Sequence, residues 1–160
     1  MPINSIPTAI VWLKRDLRLR DHAAISLAQE NHKQVLLLYV AEPSLRKEAH
    51  SSDRHFDFIK QSIVDLNQQL KAFNTAVLTV VGEVIDVFNQ LKQLLIVEGI
   101  YSHIETGIGI TFQRDLNVAA WCKDHNIPWV EERQQGVFRA MRNRKKWIQQ
   151  WSQLMNKAQY

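Results

Sequence analysis

Cysteine is almost absent from this chain of 160 residues, since Cys122 stands alone. A single cysteine excludes an intrachain disulfide and any zinc or iron–sulfur site built from several thiolates. Chains without disulfides are typical of reducing compartments, so we expect a cytoplasmic protein. No apolar run approaches the roughly 18 residues that a membrane-spanning helix requires. Residues 1–8 also lack the pattern of a signal peptide. We therefore expect no membrane partner.

Glycine is scarce, and the placement of its five residues excludes several well-known motifs. A dinucleotide fingerprint needs glycines in the turn after the first strand, where this chain has charged residues. A phosphate-binding loop with Gly-Lys-Ser or Gly-Lys-Thr is missing, and so is a Gly-x-Ser-x-Gly nucleophile turn. The composition itself, 46% apolar and 22% charged, is ordinary for one globular domain with a single core.

Short apolar segments alternate with helical patterns along the whole chain. Strands are predicted over residues 9–13, 34–40, 76–81, 100–105 and 127–131, and helices over 22–31, 51–73, 84–95, 112–125 and 143–156. Strands that alternate with helices form a parallel sheet with right-handed crossovers. We predict an α/β fold: a doubly wound, Rossmann-like, five-stranded parallel sheet, strand order 3-2-1-4-5, with helices on both faces.

The richest stretch of charge follows the first strand, with six charged residues among the eight from Lys14 to Asp21. In the predicted strand order, this loop and the loop over residues 106–111 meet where the strand order reverses, which is where such sheets bind ligands. The cations of the first loop could hold an anionic or planar ligand. Alternatively, Asp16 and Asp21 neutralise the arginines and Asp21 caps the following helix. The sequence leaves both interpretations open.

The fourth predicted strand ends in His103-Ile104-Glu105-Thr106-Gly107. A carboxylate there, opposite an arginine-rich loop, is either a ligand acceptor or an ion-pair partner of Arg15 or Arg18. A second cluster of titratable residues, His50, Asp53 and His55, has metal-like spacing but lacks an evident third ligand. We expect Ser52 or Asp53 to cap a helix there instead.

The segment over residues 139–157 carries six basic residues and no acidic one. A solvated face, or a face that docks on an acidic domain, is the favoured interpretation. Sequence-independent DNA binding is an alternative. The face of Trp147 and Trp151 could instead pack against another domain or form a homodimer.

Residues 12–25 resemble the N-terminal opening of the DNA photolyase/cryptochrome family: a tryptophan, a bulky apolar residue, a base, then Arg-Asp-Leu-Arg and an Asp-His pair. The pair Arg114-Asp115 resembles the family's Arg-Asp at the helix after strand four. The run from His103 to Gly107, with Gln135-Gly136-Val137 and the tryptophans at 147 and 151, is similar to a bacterial branch of the family.

The resemblance implies an N-terminal α/β domain over residues 1–138, then a basic terminal helix over residues 139–160 leading toward a helical domain that binds FAD. It implies light-driven pyrimidine-dimer repair, a lyase reaction, or blue-light sensing for the intact protein, and DNA binding only through that protein. We expect neither FAD nor catalytic activity on this chain alone. An antenna folate, deazaflavin or flavin is the cofactor this domain could hold. The candidate cofactor-binding residues are Trp12, Lys14, Arg15, Asp16, Arg18, Glu105, Thr106 and Gly107.

Two departures from the family bear on the antenna, and one is that the acidic residue typical of deazaflavin binders is poorly matched. Folate-binding relatives carry an Asn-Glu pair ahead of the Arg-Asp, and here Ile110-Thr111 takes that place. A stand-alone nucleotide-binding α/β module, similar to small stress proteins of this topology, is the alternative function. The missing glycine-rich phosphate loop counts against it.

Overall fold

The protein is described by a computed structural model that covers residues 4–137, 143 and 146–160. Its strands and helices, in chain order, are β1 (Asn4–Leu13), α1 (Ala23–Asn31), β2 (Val35–Ala41), α2 (Pro43–Arg46), α3 (Asp53–Leu70), β3 (Leu78–Val81), α4 (Val84–Leu94), β4 (Leu95–His103), α5 (Gly109–Asp124), β5 (Trp129–Glu132) and α6 (Trp147–Met155). A 3₁₀ turn over Lys71–Phe73 extends α3.

The strands form one parallel five-stranded sheet in the order β3-β2-β1-β4-β5, which confirms the predicted order. The central strand β1 pairs with β2 through residues such as Val11 and Leu37, and with β4 through Ile10 and Ile100. Because the chain leaves β1 toward β2 on one side and reaches β4 on the other, the reversal of strand order lies beside β1.

Successive side chains of β1 enter two separate cores. Ala9, Val11 and Leu13 pack against α1 and α3, whereas Ile10 and Trp12 pack against α4 and α5. A strand covered on both faces needs a continuous apolar run, and the run from Ala9 to Leu13 supplies it. Helices therefore cover both faces of the sheet, as predicted.

Of the two predicted helix caps, that of α1 is wrong and that of α3 is confirmed. The prediction that Asp21 caps α1 is wrong, because His22 is the N-cap and its Nδ1 accepts a hydrogen bond from the Ile25 N–H at 3.2 Å. Asp21 instead turns the chain into the helix with a left-handed φ of 49°. Ser52 caps α3 together with His55, whose Nδ1 accepts the Ser52 backbone N–H at 3.1 Å, and this confirms the predicted cap.

Several boundaries also shift. Strands β1 and β4 begin earlier than predicted because Asn4 pairs with Leu95 and extends both strands past two irregularities in their register. The short helix α2 was not predicted; Pro43 stands at its start, where a missing N–H costs nothing. The proposed boundary between residues 138 and 139 lies outside the described residues.

The terminal helix α6 is seated on the turn after β5. Trp147 donates its indole N–H to the carbonyl of Gly136 at 3.0 Å, and the two indoles of Trp147 and Trp151 stack at 6.1 Å. A Cβ on Gly136 would overlap the Trp151 ring, so this contact requires glycine. Within the described residues, no helix is long and apolar enough to cross a membrane.

Candidate functional site

A cavity of about 570 Å³ lies beyond the carboxyl ends of β1, β2 and β4. This volume is within the usual range for small-molecule sites, roughly 300–1,000 Å³. One wall comes from α3, with Phe56, Phe58 and Ile59, and the opposite side carries charged groups from the loop after β1 and from α5. An apolar wall facing a few charged groups suits a flat, partly polar ligand.

The charged side of the cavity is built around Arg114 on α5. Its guanidinium lies 2.8 Å from Glu42, 3.0 Å from Asp115 and 3.4 Å from Glu105, and it stands 4.7 Å from the centroid of the Trp12 ring. Burial raises the pKa of Glu42, although Arg114 opposes this effect. Arg114 therefore holds together three carboxylates from different parts of the chain.

Lys14, the first cation of the charged loop, is buried at the edge of the cavity and paired with carboxylates. Its ammonium lies 2.8 Å from Asp115 and 3.8 Å from Glu131, and 4.4 Å from the centroid of the Trp12 ring. Both the carboxylate and the aromatic face stabilise the buried charge. Lys14 thus ties the end of β1 to α5.

Asp16 is buried between two histidines and orders the same loop. Its Oδ1 accepts a hydrogen bond from the Lys14 backbone N–H at 2.7 Å, and its Oδ2 lies 2.5 Å from Nδ1 of His103 and 2.9 Å from Nε2 of His22. Burial alone would raise the pKa of Asp16, but the hydrogen bonds from His103 and His22 lower it far below its usual value. The prediction that Asp16 neutralises arginines is wrong, because in the described part of the chain its partners are two histidines and the Lys14 backbone N–H.

Asp16, His22 and His103 also have the composition and spacing of a metal site. The hydrogen bond that the His22 side chain accepts at Nδ1 argues against that use, although its buried Nε2 has no hydrogen-bond partner of good geometry. Its Nδ1 accepts the Ile25 N–H, so in the neutral ring the proton sits on Nε2, which faces Asp16. A metal would need the lone pair of Nε2. The cluster therefore acts as a hydrogen-bonded support for the loop.

After β4, the carboxylate of Glu105 contacts Gly107. Glu105 accepts the Gly107 N–H at 2.6 Å, and the same oxygen lies 3.7 Å from Nε of Arg15. Of the two arginines predicted as ion-pair partners of Glu105, Arg15 makes this contact and Arg18 does not. A Cβ on Gly107 would overlap both the Arg15 guanidinium and the Glu105 carboxylate, so glycine is required by close approach.

Six of the eight predicted site residues line the cavity, namely Trp12, Lys14, Arg15, Asp16, Arg18 and Glu105. Thr106 instead donates its hydroxyl to Gln135 at 3.2 Å, and Gly107 lies beneath Arg15. Arg18 donates to the backbone carbonyls of Arg20 and Asp21 and so holds the loop's own shape. The structure thus brings the two predicted loops together at one cavity.

Comparison with known proteins identifies the family. The family model described as DNA photolyase matches residues 9–152, which is most of the chain. The chain belongs to the DNA photolyase family. Among curated relatives of this photolyase-family chain, cryptochrome DASH of Synechocystis sp. is 26% identical over 104 residues, covering 62% of this chain and 21% of that protein. The deoxyribodipyrimidine photo-lyase of Vibrio cholerae is 32% identical over 65 residues, covering 41% of this chain and 14% of that protein.

A solved archaeal photolyase from Sulfolobus tokodaii has the same fold as this photolyase-family chain, with a TM-score of 0.71 at 19% identity. The match covers 91% of this chain and 35% of that one. The photolyase-family chain thus spans about a fifth or less of the curated relatives described and about a third of the solved structure.

Three parts of this photolyase-family site were missed by sequence reasoning. Glu42 directly follows β2, whose carboxyl end lies at the same sheet edge as the loop after β1, and that adjacency was a usable signal. The wall on α3 had no such signal, because Phe56 and Ile59 belong to an apolar stripe that predicts core packing. His22 was visible only as part of the family motif, and its pairing with Asp16 required the fold.

The terminal features of the photolyase-family chain stand apart from the cavity. Trp147 and Trp151 are 38% and 41% exposed, so each indole is partly used by the Gly136 turn and partly free. Docking or dimerisation through this face stays a prediction. Most of the basic cluster invoked for DNA binding, including Arg139, Arg142 and residues 144–145, lies outside the described residues.

Cys122 is buried and burial raises its pKa to about 11, as befits a core residue.

Replacing Gly107 with alanine is expected to lower the free energy of unfolding by about 1–3 kcal/mol, because the added methyl group overlaps the buried carboxylate of Glu105. Gly109→Ala is the matched control, since a Cβ at Gly109 meets nothing within 4 Å and this residue opens α5. Urea denaturation of both variants tests the difference. Equal stabilities would show that the loop yields without cost.

Proposed function

We propose that this chain is the N-terminal α/β domain of a photolyase- or cryptochrome-type flavoprotein and that its cavity holds an antenna chromophore. The observation that carries the proposal is the cavity of about 570 Å³ beside β1, with an aromatic and aliphatic wall on α3 opposite a cluster of cations and carboxylates. Its position beyond the strand ends, where the strand order reverses, supports ligand binding.

A flavin fits this chemistry better than a folate. A tricyclic ring can lie against Phe56 and Ile59 while its polar edge faces Arg15 and Glu105. Ile110-Thr111 stands where the folate-binding relatives are expected to carry Asn-Glu, which removes the polar groups that the resemblance assigns to folate. The Sulfolobus tokodaii photolyase is described as holding two FAD molecules, with a novel light-harvesting cofactor implied. That description supports a flavin in this chain's cavity.

The activity belongs to a larger protein in this proposal. The solved archaeal photolyase is about three times longer than the matched part, which supports a further helical domain that binds the catalytic FAD. Repair of pyrimidine dimers or blue-light sensing, with DNA as a partner only of that intact protein, is the proposed role. A cytoplasmic location suits the buried, unpaired Cys122.

A fluorescence titration of the purified chain with riboflavin tests the cavity. Riboflavin carries the flavin ring without a phosphate, so it reports on the ring site alone. We expect saturable one-to-one binding. Ser62→Trp is expected to abolish binding, because Ser62 lines the cavity from α3 and an indole there fills the space. Gln61→Trp on the same helix is exposed and does not line the cavity, so it should bind riboflavin normally.

Two results would count against this function. Riboflavin bound equally by Ser62→Trp and the parent chain would place the ligand elsewhere. Absence of riboflavin binding combined with tight binding of ATP would favour the stand-alone nucleotide-binding module. A parallel titration with a reduced folate, monitored by absorbance, distinguishes the two classes of antenna.

A further inference from the structure

The strand β3 forms one edge of the sheet and is largely open to solvent. Three of its four residues are exposed, with Val81 at 77% and Leu78 at 39%. In the described part of the chain, β2 is the only strand that pairs with it. The outer side of β3 therefore presents backbone N–H and C=O groups with which a further strand can pair.

The two edges of the sheet differ in their protection against such pairing. The opposite edge strand, β5, follows Pro128 and ends in Glu131 and Glu132. Proline and charged side chains of this kind keep other strands from an edge. Residues 72–82, which contain β3, include neither a charged residue nor a proline. This difference marks β3 as the edge at which a further strand can pair.

The backbone of β3 fits an antiparallel partner of the same sequence. The Gly82 N–H donates to the Ala41 carbonyl of β2 at 3.2 Å. Because backbone groups alternate in direction along a strand, the N–H and C=O groups of Thr79 and Val81 point away from β2. A two-fold axis through Val80 then places Thr79 of each copy opposite Val81 of the other, and the two residues can exchange both of their hydrogen bonds.

Charge also favours a second copy of this chain as the partner. The chain has a net charge of +4, but residues 72–82 contribute none of it. Two identical edges therefore meet without like charges opposite one another, which would be destabilising. The three side chains nearest the axis, Thr79, Val80 and Val81, are β-branched, and such residues pair well across strands.

We propose that two copies of this chain associate edge to edge through β3, so that their sheets form one continuous sheet with an antiparallel pair at its centre. A four-residue strand is only about 13 Å long. The contact is therefore smaller than the roughly 800 Å² per partner of a standard interface. We expect a weak dimer, with a dissociation constant of about 10 µM to 1 mM.

Sedimentation equilibrium over this range of concentration tests the proposal. The parent chain is expected to change from monomer to dimer as its concentration rises. Val81→Lys puts a charge into the strand pair and should weaken the dimer by about tenfold or more. Val64→Lys is the matched control, because this residue of α3 is 63% exposed and lies outside β3, so the variant should dimerise like the parent chain. Circular dichroism establishes that both variants are folded.

The register has its own test in the double variant Thr79→Glu with Val81→Lys. In the two-fold arrangement each lysine lies opposite a glutamate of the other copy, so the double variant should recover the dimer that Val81→Lys loses. Amide hydrogen exchange gives an independent measurement. The N–H groups of Thr79 and Val81 should become protected as the concentration rises, whereas that of Val80, which faces β2, should not change.

Several results would overturn the proposal. One is a chain that stays monomeric at about 1 mM, the upper end of the expected range. Another is a dimer that Val81→Lys leaves intact and that Ile148→Lys dissociates, since Ile148 is 69% exposed on α6 and this result would place the interface at the tryptophan helix. A double variant that stays monomeric would overturn the antiparallel register.

These outcomes are independent of the proposed antenna site. The residues of β3 do not line the cavity, so Val81→Lys should bind riboflavin with the affinity of the parent chain. Loss of the dimer with unchanged riboflavin binding supports the edge contact by itself. Loss of both in Val81→Lys would mean that the substitution disturbs the fold, and it would overturn the assignment of this residue to an interface.

Discussion

Asp16→Asn is expected to lower the free energy of unfolding by about 3–5 kcal/mol, the usual cost of breaking a buried charged network by removing one partner. The carboxylate receives the Lys14 N–H and faces ring nitrogens of His22 and His103. An amide would turn an N–H₂ group toward one of these donors, and a buried donor would lose its acceptor. Urea denaturation at neutral pH measures the loss.

Asp21→Asn is the matched control in the same loop. Asp21 is exposed, and its side chain accepts one long hydrogen bond of 3.3 Å, from the backbone N–H of Tyr160. Its replacement should change stability by no more than about 0.5 kcal/mol. Similar losses for both variants would mean that Asp16 has no special structural role.

The effect of Asp16 should also depend on pH in a defined direction. Its pKa is lower in the folded chain than in the unfolded one, so the ionised carboxylate stabilises the fold above the unfolded pKa of about 4. That contribution is lost as the pH falls below this value. The difference between the parent chain and Asp16→Asn should therefore be constant above pH of about 5 and shrink below about 4.

Arg114→Met is expected to destabilise the domain by a similar amount, about 3–5 kcal/mol, because it leaves Glu42 buried without its cation. Methionine keeps most of the aliphatic length of the side chain and removes the guanidinium, which lies 4.7 Å from the centroid of the Trp12 ring, so the change is mainly one of charge. Guanidinium chloride is unsuitable as the denaturant because it screens ion pairs, and urea avoids this problem.

The pH dependence of Arg114→Met should run opposite to that of Asp16→Asn. Burial raises the pKa of Glu42, and loss of Arg114 would raise it further. A carboxyl whose pKa is raised on folding is favoured in its protonated form, so its folded state loses stability as the pH rises through the raised value. The deficit of Arg114→Met should therefore grow between pH of about 4 and pH 8.

Addition of Glu42→Gln to Arg114→Met distinguishes charge from packing. If the uncompensated carboxylate causes the loss, the double variant should recover part of it and should lose the pH dependence. Arg54→Met, on the exposed surface of α3, controls for the removal of a positive charge. A double variant no more stable than Arg114→Met would contradict the argument.

The sheet could be predicted from the sequence because its strands are buried on both faces. Runs such as residues 9–13 and 35–40 are apolar without interruption, and this pattern suits a central parallel strand. The strand ends were harder to predict from the sequence, because the extension of β1 to Asn4 depends on its pairing with Leu95 across the sheet. Pairing between distant segments leaves little trace in local sequence.

The sequence predicted where the candidate site lies better than it predicted which residues contact one another there. Charge after β1 and a carboxylate after β4 pointed to the sheet edge where both loops lie. The contacts of Asp16 with His22 and His103 were not evident from the sequence. The two histidines are far apart in the chain, and a histidine near a carboxylate can serve many other roles. The α3 wall was hidden by its resemblance to an ordinary core stripe.

The seating of α6 on the Gly136 turn has a consequence for how the domain opens. The same turn contacts Thr106 through Gln135, and the Tyr160 N–H reaches Asp21 in the loop after β1. Proteins open locally in roughly contiguous cooperative units, and chain termini are among the least stable of these. We therefore expect the amide hydrogens of α6 and of the Gly136 turn to exchange before those of the sheet, so a helix that lines no part of the cavity affects the loops at its edge.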